Sequence, residues 1–327
     1  MLLKIFNGRN VFLQLIIVVM YFLLVISMPV RLVENSGFNP LYLSFYNLLS
    51  GNPILIKISF IILIIISVLS TQFFSISFGL MKRLHYHFLL IAPLMMFSYV
   101  NAWVVSPVLF SLPLVILGVQ LLFGISNKDR AIEELAYSAI TLSLASLFYT
   151  VLIWDIVILI LALFLFRQFN LREVLIVLSS YVIPYIYLFS WYFMKGNLSI
   201  KFNEFIVVFQ NIRIDFNMHQ PFLETVMIIA ILLFSIMIVY NVFANIRNKL
   251  IQIRIYTSFL FWGLVFSILL LPFAGTMMPY HFILILFCVA IIASIYFAEL
   301  KNNWLFEGFI LLFLLHNFYL MYQIYYA

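Results

Sequence analysis

KDRAIEELAYSAITLSLASLFYTVLIWDIVILILALFLFRQFNLREVLIVLSSYVIPYIYLFSWYFM, residues Lys128–Met194, is the stretch whose reading decides the fold. It holds three apolar runs, a single acid, Asp155, between two of them, and basic residues at the turns. The runs are continuously apolar. A transmembrane barrel strand alternates apolar and polar residues over a much shorter length, whereas a helix that crosses the hydrocarbon core needs about 20 predominantly apolar residues. The stretch therefore predicts membrane helices over about Ala131–Thr150, a short one over about Leu152–Phe166, and one over about Glu173–Met194 with a kink at Pro184.

Composition extends this reading to the whole chain. Of its 327 residues 66% are hydrophobic and 9% are charged, where a soluble domain carries about a quarter charged. The expected fold class is all-α, a polytopic membrane protein forming one integral membrane domain over 1–327. The net charge of +6 does not point to nucleic acid, because the bases recur in small groups between apolar runs, as an orientation signal does. One cysteine, Cys288, excludes an intramolecular disulfide and a Cys-based metal cluster.

Outward from the central stretch the same pattern repeats. A first helix spans about Val11–Pro29, preceded by Lys4 and Arg9, and reads as uncleaved because no small-x-small site follows it. The loop 30–52 contains PLYLSFYNLL (Pro40–Leu49), too short to span and placed in the interface, with Asn39 as its cap and Pro40 in its first turn. Further helices are expected over about Pro53–Leu80, Leu84–Val104 and Pro107–Ile125, with Asp129 capping the next one. After the central stretch, 195–220 forms a second outer loop with an interfacial segment. Helices follow over about Pro221–Asn245, Ile255–Ala274, Pro279–Leu300 and Trp304–Tyr325. This makes about eleven spans. With the N-terminus in the cytoplasm, 12 of the 17 Lys and Arg fall on the cytoplasmic side and 5 opposite, which the positive-inside rule favours, and the C-terminus is extracytoplasmic.

That topology gathers most of the candidate chemistry outside. Asp155 is the sharpest candidate, since an acid beside an apolar span is costly unless paired or hydrated. Its plainer role is to cap the first turn of its helix against headgroup water. Glu34, three residues after Arg31, has the chemistry of a general base or metal-linked acid, or of a loop acid paired with Arg31. Lys195, Lys201 and Arg213 suit a lipid phosphate or, with Trp191 and Tyr192, interfacial anchoring. His219, Glu224 and His281 fall at outer helix ends without the spacing of a metal motif, so no metal site is expected.

Two resemblances rest on these residues. The segment ASLFYTVLIWDIVILILALFLFRQFNLREVLIVLSSYVIPYIYLF (Ala145–Phe189) and the opening KIFNGRN resemble an uncharacterised family of polytopic inner-membrane proteins of Bacteroidota. This resemblance implies a multi-pass protein of the bacterial inner (cytoplasmic) membrane. The layout of an N-in first helix, an outer loop with an interfacial helix and a tight turn at Ser106-Pro107 resembles the GT-C glycosyltransferase superfamily. That resemblance implies a polyprenyl-phosphate-linked substrate at the outer face, with Glu34 as the catalytic loop acid. Paired acids are absent from the loop, and Asn101 and Ser106 stand where many members carry another acid.

Three functions follow as expectations. The first is a non-enzymatic subunit or scaffold of an envelope machine, with a membrane protein partner and membrane lipids. The second is a GT-C-like protein that binds or transfers a polyprenyl-phosphate-linked sugar. It would use Glu34 and Asp155 catalytically and Lys195, Lys201 and Arg213 on the phosphate. The third is a small-molecule transporter, disfavoured because charges near mid-span are nearly absent.

Overall fold

The computed structural model describes residues 30–34, 37–81, 87–96, 98, 103–127, 131–166, 170–210, 222–275, 278–299 and 303–326. The expected first helix, over 11–29, lies outside them, as do Asp129, Arg213 and His219.

Among the described residues the chain is all-α apart from one two-residue strand pair. In order, the described elements are β1 (Arg31–Leu32), α1 (Pro40–Leu49), α2 (Pro53–Ser77), α3 (His87–Met96), β2 (Val104–Val105), α4 (Pro107–Gly124) and α5 (Ile132–Phe148). A 3-10 turn, Thr150–Trp154, then leads into α6 (Asp155–Phe166), α7 (Leu171–Met194), α8 (Leu198–Gln210), α9 (Phe222–Ala244), α10 (Ile251–Leu269), α11 (Met278–Glu299) and α12 (Asn303–Tyr326). Among the described residues five helices are long and apolar enough to cross a membrane: Pro53–Ser77, Pro107–Ile125, Leu171–Met194, Ile251–Leu269 and Pro279–Ala298. The protein is thus a multi-pass membrane protein.

Local chemistry sets several helix starts. Asn52 accepts the Ile54 amide, Asn170 the Arg172 amide and Ser106 the Leu109 amide, and Pro53 and Pro107 supply a first-turn φ without wasting a donor. Asn39 departs from the expected pattern. It precedes Pro40 but makes no side-chain cap to α1, because its side chain is committed to Thr150, far along the chain.

The helix expected over Leu84–Val104 is described only over His87–Met96, and its expected end is not helical. Val104–Val105 is extended and pairs in parallel with Arg31–Leu32. Two β-branched residues ahead of the Ser106-Pro107 step favour extended backbone. The expected helix over Ile255–Ala274 instead starts at Ile251 and stops at Leu269, where Pro272 begins a separate single turn, Leu271–Ala274. The division of Ala131–Phe166 into two helices holds: Tyr149 is extended, and the 3-10 turn separates α5 from α6.

Helix α5 packs between α4 and α7, and α11 packs against α3, α9 and α10 while also touching α4. In α11, 78% of the apolar window is buried, against 28% in α2 and α7, so α11 is central and the other two present broad apolar faces outward. Gly118 permits a close approach of α4 and α5, since a Cβ there would stand 2.7 Å from the Leu142 side chain. Small residues serve this purpose in membrane helix pairs.

Side-chain contacts sort the helix ends into two sets. One end joins Phe38 and Asn39 to Thr150, Trp154 to Phe209 and Phe273, and Tyr149 to His281. The other end packs Phe78, Phe123 and Phe166 around Tyr256, with Phe259 against Phe123 and Phe166.

Candidate functional site

The first of these ends is built around the break between α5 and α6. Once Tyr149 leaves helical geometry, the following amides lose their own-helix acceptors, and buried amides must find others. The Thr150 amide donates to Asn39 Oδ1 at 3.0 Å, and the Thr150 hydroxyl donates to the Phe38 carbonyl. The loop before α1 therefore lies directly on the break. Tyr42, one turn into α1, directs its phenol at the carbonyls of Val33 and Val105, 3.1 Å for the latter, and so locks β1 and β2 under the loop. Burial, with Tyr46 and Tyr280 nearby, holds the Tyr42 phenol above the usual tyrosine range, so it remains a donor.

From the opposite side, α7 closes the break. Tyr181 points its hydroxyl at the carbonyls of Leu152 and Ile153, each at 3.1 Å, and Tyr185 pairs with the Ser146 hydroxyl at 2.6 Å. The spacing of four residues puts both phenols on one face of α7.

Asp155 opens α6 and is 3% exposed. The expected contact with headgroup water is not made. Its side chain instead lines a cavity of about 90 Å³ that it shares with Thr71, Ser267, His281 and Cys288 and with the rings of Phe74, Phe259, Phe266 and Phe287. Among the described residues no donor bonds to the Asp155 carboxyl.

His281 is held at both ring nitrogens. Nε2 stands 2.7 Å from the Ser267 carbonyl, which can only accept, so Nε2 carries a proton. Nδ1 lies 3.0 Å from the Tyr149 hydroxyl and accepts from it in the neutral ring. The Ser267 carbonyl belongs to the last turn of α10, where helix carbonyls lack own-helix partners. His281 is thus a cap and a tie between α10, α11 and the α5–α6 break. With both nitrogens engaged, it offers no base to the Cys288 thiol and no free ligand atom. Among the described residues no three His, Cys, Asp or Glu side chains are grouped to hold a metal ion.

The remaining candidates lie elsewhere. Glu34 is exposed just after β1, is not in the cavity lining, and makes no ion pair with Arg31 or any other described residue. Lys195 is exposed, with Nζ 4.6 Å above the Trp191 ring. Lys201 is bound to Glu204 at 2.7 Å, one turn along α8. Each lysine is thus matched within its own segment, Arg213 and His219 lie outside the described residues, and for Glu224 only the helical backbone is described. Sequence reading singled out Asp155 and His281 separately. It missed Tyr149, Tyr181, Tyr185, Thr71 and Asn39 as their surroundings, for which the i, i+4 spacing of Tyr181 and Tyr185 is the one local signal. Comparison with protein-family models, curated proteins and solved structures gives no match to this chain.

Proposed function

We propose that the chain is a multi-pass protein of the bacterial inner membrane with about eleven spans, its N-terminus cytoplasmic and its C-terminus extracytoplasmic. In this reading it is a non-enzymatic subunit of an envelope assembly. Its extracytoplasmic end, made by the loop 30–49, the α5–α6 break and α8, carries the contact with a membrane protein partner. One observation supports this reading over an enzymatic one. The two acids that a transferase would need are apart, Glu34 exposed on the loop and Asp155 enclosed in a cavity too small for a sugar. Tyr42, Thr150, Tyr181 and His281 at that end are taken up by hydrogen bonds within the chain.

A GT-C-like protein acting on a polyprenyl-phosphate-linked sugar is the second reading. It is favoured by an apolar furrow lined by Trp154, Tyr185, Phe189, Phe205 and Phe209, near the end of α7 that carries Lys195. Lipid mass spectrometry on gently solubilised protein, beside a Glu34→Gln copy, separates the two. Stoichiometric partner protein with only bulk phospholipid in both samples is the outcome expected of the subunit. A co-purifying polyprenyl phosphate, with its sugar adduct accumulating in Glu34→Gln, would replace the first reading by the second.

A further inference from the structure

The Asp155 cavity has a chemical bias that neither functional reading uses. Apart from the weak S–H donor of Cys288, its polar lining offers acceptors. The Thr71 hydroxyl gives its proton to the Ser67 carbonyl at 2.8 Å, and the Ser267 hydroxyl gives its proton to the Leu264 carbonyl at 2.8 Å. The Nε2 proton of His281 is spent on the Ser267 carbonyl. Hydroxyl oxygens bonded in this way keep lone pairs to offer. Asp155 adds a carboxyl with no described partner, and no Lys or Arg lines the space. An anion or a carbonyl compound would find only the weak Cys288 S–H to bond there, whereas a group rich in N–H donors would find several acceptors.

The apolar lining narrows the choice. Four phenylalanine rings surround the cavity, and ring faces attract cations. Hard metal ions demand six or more oxygens in a tight shell, more than this lining holds. Size sets the upper limit: a cavity of roughly 150 Å³ takes a benzene ring, and this one is about 90 Å³. We infer that the cavity is a binding site for a small cation bearing N–H donors, ammonium or a short alkylammonium, with Asp155 as its anionic partner and the phenylalanine rings as its walls. The inference is independent of whether the extracytoplasmic end docks a protein or a lipid phosphate.

Equilibrium dialysis of the full chain in lipid nanodiscs against radiolabelled methylammonium tests the site. Saturable binding of one methylammonium per chain is expected, displaced by ammonium chloride and not by equal sodium or potassium chloride. Asp155→Asn should abolish the binding. No saturable binding, equal displacement by sodium or potassium, or undiminished binding in a folded Asp155→Asn protein would overturn the proposal. Should Asp155→Asn fail to fold, the order of displacement by ammonium, sodium and potassium in the unaltered chain still decides it.

Discussion

Asn39 and Thr150 are 111 residues apart and meet through a 3.0 Å bond from the Thr150 amide to the Asn39 side-chain oxygen. The amide is one that α5 abandons when Tyr149 turns extended. The acceptor comes from the loop that precedes α1. This bond ties the loop before α1 to the helix break that seats Asp155.

Asn39→Ala removes the acceptor and leaves a buried amide unbonded, which costs about 1–3 kcal/mol. Thr150→Val keeps the amide bond and loses only the hydroxyl contacts. Thermal unfolding in detergent is expected to rank Asn39→Ala as the more damaging. Limited proteolysis of Asn39→Ala should show cleavage in the loop 30–39 that the unaltered chain resists.

Gly118 faces Leu142 where α4 and α5 touch, with no room for a branched side chain. Gly118→Val should destabilise the protein by about 1–3 kcal/mol through overpacking. The cost should fall when Leu142→Ala is added, since the cavity left by the leucine accepts the valine. A double-mutant cycle on unfolding reads this coupling directly, and strict additivity would mean that the close approach is not what Gly118 provides.

His281 serves two partners and Tyr149 serves one. His281→Leu strands both the Tyr149 hydroxyl and the Ser267 carbonyl, whereas Tyr149→Phe strands only the imidazole Nδ1. At about 1–3 kcal/mol per buried unsatisfied group, His281→Leu should lower the unfolding midpoint clearly more than Tyr149→Phe.

Most helices were legible in the sequence because a hydrocarbon environment forces long apolar runs, and because Asn52-Pro53 and Ser106-Pro107 announce helix starts in local chemistry. The strand pair was not legible, since two residues on each side carry no periodicity and their partners are 73 residues apart in sequence. Asn39 misled for a related reason. Its local position fits a cap, but a buried amide with no other acceptor outcompeted that role. The stop at Leu269 was available from Pro272, which cannot continue a helix. Asp155 was visible as an oddity, yet its enclosure depends on α2, α10 and α11, far along the chain, and nothing in its own segment encodes them.

The functional account rests on which end of the bundle faces outward. Single cysteines at Lys201 and Arg247, in a Cys288→Ala background, test it with a membrane-impermeant thiol reagent on intact cells whose outer barrier is removed. The account predicts that Lys201→Cys is labelled from outside and that Arg247→Cys is labelled only after the membrane is opened. Labelling of Arg247→Cys from outside, with Lys201→Cys protected, would contradict it, and the loop 30–49, the α5–α6 break and α8 would then face the cytoplasm.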